Sequence, residues 1–279
     1  MTLRQLDAEG ARTLPVALTI AGSDSSGGAG VQADLKTFQA LGVFGMSAIT
    51  AVTVQNTRKV YAVENISPQI VYEQITCLFD DIDIHAVKIG MVSSVALIEA
   101  IATALAEVER PPVVLDPVMI SKSGYALLDP DAQQALKTHL FPLADVVTPN
   151  IHEAEVLVGA AIETEAQMQA AAEQIKGFGP AKVVVKGGHL SGAQATDVVF
   201  DGTHHRALTT DRLSTTNTHG TGCTFSSAIA AYLAKGEPFF DAVGKAKTYV
   251  TGAIAHSLAI GRGHGPTHHF FDLYRRAGF

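Results

Sequence analysis

The sequence offers little to cross-link it and little charge that would attract a polyanion. Only two cysteines occur in 279 residues, Cys77 and Cys223. They stand far apart and outside any CxxC spacing, which argues against a disulfide framework or a structural zinc site and suits a reducing cytoplasm. Charged side chains make up 17% of the chain and the formal net charge is −7, so there is no basic stripe for a nucleic-acid backbone. Anionic small substrates remain open, because a few backbone donors and one lysine can hold a phosphate against an unfavourable global field. No apolar run is long enough to span a bilayer, and the first fifteen residues, with Arg4, Asp7, Glu9 and Arg12, contain no signal-peptide apolar core. The expectation is a protein that is neither exported nor membrane-embedded. Internal repeats, low-complexity tracts and convincing linkers are missing too. Residues 1–15 are read as an extension without an assigned role and 16–279 as one domain, for which 47% hydrophobic content supplies a large core.

What the chain does have is a regular alternation of short β-branched apolar runs with longer amphipathic stretches, the pattern of parallel strands joined by helical crossovers. The fold class is therefore α/β. Strands are predicted at 16–21, 47–54, 85–89, 113–115, 145–148 and 182–186, with a hairpin pair at 197–200 and 205–209. Val31, Leu35, Phe38 and Leu41 share one face of an intervening helix. The conformation of 56–65, a segment placed to fold over the pocket, does not follow from the pattern. Most strands run into a polar or Gly-rich turn: Gly22-Ser23-Asp24, Gln55-Asn56, Gly90-Met91, Asp116-Pro117, Pro149-Asn150 and Gly187-Gly188. In a parallel sheet these turns gather at the carboxyl edge, where open α/β proteins bind ligands.

The first Gly-rich turn, residues 22–30, matches neither the dinucleotide fingerprint GxGxxG nor the phosphate loop GxxxxGK[ST], which disfavours a nicotinamide oxidoreductase. Its glycines allow close approach of backbone to a small ligand, or merely a flexible strand-to-helix turn. Asp34, one turn into the next helix, either reaches back to that pocket or complements the helix dipole. The second Gly-rich element is sharper: Asn217-Thr218-His219-Gly220-Thr221-Gly222-Cys223-Thr224 leads into an apolar helix. Glycines at a helix start leave N–H groups uncovered beside the positive end of the dipole, which makes an anion site. Cys223 in that first turn is expected to have a lowered pKa and to serve as a base toward a substrate hydroxyl; the alternative is a small buried residue. Asn150 and Glu153 have capping-box spacing, and the same spacing sets both at the sheet edge, where a carboxylate could hold hydrated magnesium. Asp116 is a further edge carboxylate, for magnesium or for backbone hydrogen bonds. Lys186, closing its strand, reads as a phosphate clamp or an ordinary solvated lysine. His264, His268 and His269 lack metal-site spacing and are read as structural.

In their order along residues 16–271 these elements resemble the hydroxymethylpyrimidine/phosphomethylpyrimidine kinases of the ribokinase-like superfamily. The segments that carry the resemblance are Ala21-Gly22-Ser23-Asp24, Ser26-Gly27-Gly28-Ala29-Gly30, Gln32-Ala33-Asp34-Leu35-Lys36, Gln55-Asn56-Thr57, Lys88-Ile89-Gly90-Met91, Thr148-Pro149-Asn150, Lys186-Gly187-Gly188-His189, the 217–224 element and Gly263-His264-Gly265-Pro266-Thr267. The resemblance implies a three-layer fold, a central, mostly parallel sheet with helices on both faces, and ATP with Mg2+ as phosphoryl donor. It implies an anion hole from Gly220, Thr221, Gly222 and Cys223 with Cys223 as base, magnesium organised by Asn150 and Glu153, and nucleotide contacts from Lys186 and Lys247. Gly22, Asp34, Gln55, Met91 and Val118 would line the pyrimidine pocket, and a homodimer would be the assembly. Thr53 departs from the valine of the family's best-known member. The expected reaction is two successive phosphorylations, of 4-amino-5-hydroxymethyl-2-methylpyrimidine and then of its monophosphate. Gln55 suits an aminopyrimidine edge, whose adjacent donor and acceptor match a carboxamide. The competing reading is a pyridoxal kinase, as the main or a second activity.

Overall fold

The computed structural model describes residues 13–279 apart from 122–123, 126, 129 and 189–191. Most of the proposed extension 1–15, and His189 of the Lys186-Gly187-Gly188-His189 segment, therefore lie outside the described residues. The chain forms one nine-stranded sheet in the order β3-β2-β1-β4-β5-β6-β7-β8-β9. These strands are β1 (Val16–Ser23), β2 (Phe44–Gln55), β3 (Val60–Asn65), β4 (Ala86–Ile89), β5 (Val113–Leu115), β6 (Val146–Val147), β7 (Lys182–Val185), β8 (Gln194–Phe200) and β9 (His205–Asp211). The six central strands, β2 to β7 in space, pair in parallel, and β3, β8 and β9 add antiparallel margins.

Strands β4 to β7 are apolar and rich in valine because both of their faces are covered. Alternation then sends successive side chains to opposite layers. In β5, Val113 and Leu115 join the cluster that contains Leu18, Ile20, Ile75 and Leu97, whereas Val114 joins Phe38, Phe225 and Ile229. The first layer contains helices α2 (Pro68–Asp81), α3 (Val95–Ala106), α5 (Ile151–Val158) and α6 (Glu165–Lys176). The second contains α1 (Gly30–Ala40), α7 (Thr221–Ala234) and α8 (Phe239–Ala255). A short α4 (Pro130–Ala135) and a terminal α9 (Phe271–Ala277) complete the set. On α1, Val31 and Phe38 are buried and Leu35 and Leu41 partly so, as the helical period requires.

Residues 56–65, whose conformation the pattern left open, form the turn and strand of a hairpin. β3 pairs antiparallel with β2, Val54 opposite Ala62 and Val52 opposite Glu64. The hairpin tip is fastened to the 261–264 loop: His264 N–H donates to Thr57 O at 2.8 Å and Gly263 N–H to Thr57 Oγ1 at 3.2 Å. The tip is thereby held at the carboxyl edge, where the parallel strands end. Among the described residues no helix is long and apolar enough to cross a membrane.

Candidate active site

The loop between β1 and α1 is wrapped around a buried carboxylate. Asp24 Oδ1 accepts from Ser26 N–H (2.8 Å) and Ser26 Oγ–H (2.7 Å). Its Oδ2 accepts from Ala29 N–H (2.8 Å), Gly28 N–H (3.1 Å) and the His219 Nε2 (2.7 Å). Burial works to raise the Asp24 pKa, but the bonds from His219 and Ser26 outweigh it and hold the carboxyl at about 2. The serines and glycines of this loop thus supply an internal anion's donors. The His219 bond ties the loop to the second Gly-rich element. That union is tight: Gly220 has φ +78°, and a Cβ there would stand 1.7 Å from Gly28 O.

Gly220 is the N-cap residue of α7, and no side chain caps this helix. Thr224 N–H is satisfied by Gly220 O at 2.8 Å and Thr221 N–H by Thr218 O at 3.3 Å; between them Gly222 and Cys223 line the cavity at the positive end of a 14-residue helix. Gly222 lies where a Cβ would be 3.4 Å from Asp116 Oδ2 and 3.5 Å from Lys186 Nζ. Cys223 faces the same space, partly buried. The lowered thiol pKa expected from the helix start does not hold. Burial pushes the Cys223 thiol up to about 11, the nearby Lys88 ammonium pulls it down, and Asp34 and Asp116 add to the rise.

At the ends of β5, β6 and β7, a second cluster forms. Lys186 Nζ donates to Asp116 Oδ1 at 2.7 Å, and Thr148 Oγ1 donates to the same oxygen at 3.2 Å. Lys186 is accordingly paired rather than simply solvated. Asn150 and Glu153 form the capping box: Asn150 N–H donates to Glu153 Oε2 (2.8 Å) and Glu153 N–H to Asn150 Oδ1 (2.9 Å). Burial raises the Glu153 carboxyl to about 7, Lys186 lowering it and Asp116 raising it further. Lys247 lines the cavity, with its ammonium held by Asp197 Oδ2 (2.8 Å) and Ala195 O (3.1 Å). Among the described residues no group of three or more His, Cys, Asp or Glu side chains has metal-ligand spacing. A pair of carboxylates beside an open helix N-terminus suits a hydrated magnesium whose other ligands come from phosphates, and does not suit an all-protein cage.

At the other end of the α7 N-terminus, Gly22, Gln55, Met91 and Val118 line the same cavity of about 670 Å³. A Cβ at Gly22 would stand 2.5 Å from Met91 Cε, so the absent side chain leaves room for the methionine against the loop. The Gln55 carboxamide lies between Thr53 Oγ1 (3.4 Å) and His219 Nε2 (3.3 Å). Asp34 is the exception to the expected pocket. It does not line the cavity and it does not merely complement a dipole: wholly buried, it accepts from Lys88 Nζ (2.8 Å), Thr19 Oγ1 (2.6 Å) and Ser227 Oγ (2.5 Å). It binds β1, β4, α1 and α7 together beneath the site.

The sequence profile of phosphomethylpyrimidine kinase matches residues 24–268. The chain belongs to the phosphomethylpyrimidine kinase family. It is 56% identical over 263 residues to the hydroxymethylpyrimidine/phosphomethylpyrimidine kinase of Rhizobium meliloti (strain 1021), covering 93% of this chain and 98% of that one. Among solved structures, the phosphomethylpyrimidine kinase from Clostridium difficile 630 is 48% identical with a TM-score of 0.76, over 86% of this chain and 99% of that chain. The Bacillus subtilis pyridoxal kinase, solved as an ADP complex, is 42% identical with a TM-score of 0.86, over 92% and 98%. The fold is ribokinase-like, as the resemblance implied.

Within this kinase scaffold, sequence reasoning passed over three buried polar residues: Asp24, His219 and Lys88. Asp24 carried a signal, an Asp two residues before a serine in a glycine loop, which favours local side-chain turns. His219 lay inside a motif read for its glycines. Lys88 lies within the apolar strand β4 and has 0% exposure; burial works against its charge, yet the neighbouring carboxylate of Asp34, with Cys223 and Asp116, raises its pKa above the ordinary lysine range.

Proposed function

We propose that this kinase uses ATP and magnesium to phosphorylate 4-amino-5-hydroxymethyl-2-methylpyrimidine and then the resulting monophosphate, in thiamine biosynthesis. The observation that carries the reading is one continuous cavity. At one end Gln55, Gly22, Met91 and Val118 suit a flat aminopyrimidine, and at the other Lys186, Lys247 and Asp116 suit a nucleotide's phosphates, with the uncapped start of α7 between them. Phosphoryl transfer asks a protein mainly for positioning and charge stabilisation. Backbone N–H groups at Gly220, Gly222 and Cys223 supply fixed donors where negative charge builds on the transferred group, while the Thr221 N–H turns back to Thr218 O at 3.3 Å and braces the loop. Lys186 supplies a cation there, itself oriented by Asp116. Asp116 and Glu153, with Asn150, are the oxygen donors that would hold hydrated magnesium, which when bound neutralises phosphate charge. Cys223 accepts the substrate hydroxyl proton through its thiolate form.

The two cysteines stand as free thiols, in keeping with a reducing cytoplasm. A homodimer is the assembly we propose, because Val52, Val54 and Tyr61 are exposed on the β2–β3 hairpin at the margin of the sheet. Likeness to a pyridoxal kinase keeps pyridoxal in view as a competing alcohol. Initial rates with ATP on the two alcohols separate the readings: the hydroxymethylpyrimidine is expected to have the larger kcat/KM. A strong preference for pyridoxal would overturn the pyrimidine assignment.

A further inference from the structure

The carboxamide of Gln55 sits between two groups whose hydrogens are already assigned. His219 Nε2 lies 2.7 Å from Asp24 Oδ2. Asp24 is an acceptor throughout, taking bonds from Ser26, Gly28 and Ala29 as well, and its carboxyl stays ionised down to about pH 2. Nε2 must therefore carry a hydrogen and point it at Asp24, whether the imidazole is neutral or charged. The other neighbour, Thr53, has one hydroxyl hydrogen, and it goes to Ser23 O at 2.9 Å. Only lone pairs of Thr53 Oγ1 are left for Gln55.

These two assignments fix the carboxamide. The Gln55 Nε2 position lies 3.3 Å from His219 Nε2, where two N–H groups would confront one another. The Oε1 position lies 3.4 Å from Thr53 Oγ1, where two acceptors would do the same. Which end of a carboxamide is oxygen is decided by its hydrogen-bond partners. A half-turn about the terminal bond turns both oppositions into attractions, with Oε1 sharing the His219 N–H and the amide nitrogen donating to Thr53 Oγ1. The backbone beneath is already pinned, since Ser25 Oγ donates to Gln55 O (2.7 Å) and accepts from Gln55 N–H (3.0 Å).

We infer that His219, held as an Nε2–H donor by Asp24, is a specificity-determining positioning residue that keeps the Gln55 oxygen toward the start of α7 and its amide nitrogen toward Thr53. The inference rests on the aminopyrimidine reading of the cavity and gives it a direction. The exocyclic amine of the substrate donates to Gln55 Oε1 on the His219 side, and the adjacent ring nitrogen accepts from the amide on the Thr53 side. Recognition of the amine then depends on a residue that does not touch it. Thr53, where a valine would offer no lone pair, makes the second half of the lock.

The test uses His219→Phe, which keeps a ring against Gly28 and removes the N–H. KM is measured for the hydroxymethylpyrimidine and for its analogue with hydrogen in place of the amine. The expected result is a KM at least about tenfold higher for the amine substrate, with the analogue's KM within about twofold of wild type, since a lost amide orientation forfeits one hydrogen bond of roughly this worth. A proportional change for both substrates, or a loss confined to kcat, would overturn the inference by making His219 a mere support of α7. Ring-15N NMR of the wild-type protein gives an answer that needs no variant: Nε2 of His219 is expected to bear a bonded hydrogen between pH 5 and pH 8, and a bare Nε2 would overturn the amide orientation. If the wild type does not phosphorylate the pyrimidine, the proposed reaction fails, and the NMR measurement still decides the orientation.

Discussion

Cys223 shows how burial and charge compete at a single residue. A thiol at a helix start beside a lysine should ionise readily, yet burial pushes this one up and the carboxylates of Asp34 and Asp116 add to the rise; the balance puts its pKa at about 11. Its resting state at neutral pH is therefore the protonated thiol. If the thiolate is the proton acceptor, its fraction grows tenfold with each pH unit below that value, so turnover should rise from pH 7 to 9. Cys223→Ala should lower turnover by about two orders of magnitude and flatten the rise. A pH profile shared by both proteins would remove the base from the mechanism. Asp34 gives a second residue-scale prediction. Because it compensates the buried Lys88, Asp34→Ala should cost about 3–5 kcal/mol in urea unfolding. A change in substrate KM with stability intact would instead return Asp34 to the pocket.

At the scale of elements, the start of α7 governs the site. Gly220 adopts φ +78° and meets Gly28 O so closely that any Cβ must displace one loop from the other. Gly220→Ala should abolish measurable turnover while circular dichroism remains near that of the wild type; unchanged turnover would mean that the two Gly-rich elements need not touch. The central strands were legible from their β-branched runs, and β5 was found at its observed bounds, because strands buried on both faces read as unbroken apolar runs. β3 was not, since Tyr61, Ala62, Glu64 and Asn65 are exposed and leave no apolar stripe to read. The Gly-rich turns marked the edge where the cavity lies. They could not disclose that Asp24 is the centre of the first turn, because its donors are mostly backbone N–H groups, with one from His219, distant in sequence. Nor could a spacing argument separate Asp34 from the pocket, since that depends on Lys88 arriving from another strand.

For the molecule as a whole, the sheet places the groups proposed for substrate and nucleotide at one edge while the net charge stays at −7, so the proposed attraction for phosphate would be local, carried by α7, Lys186 and Lys247. The exposed Val52 and Val54 lie on the hairpin that also presents Gln55, so the proposed assembly and the proposed substrate reading would share an element. In sedimentation the protein should run as a dimer, and Val54→Lys should shift it toward monomer; an unaltered dimer would place the interface elsewhere. The central claim is that this cavity transfers one phosphoryl group from ATP to the aminopyrimidine alcohol and a second to the resulting monophosphate. Mass analysis of products from the purified protein with ATP, magnesium and 4-amino-5-hydroxymethyl-2-methylpyrimidine tests it most directly. The account predicts the monophosphate first and the diphosphate after it, and an alcohol recovered unphosphorylated would contradict it.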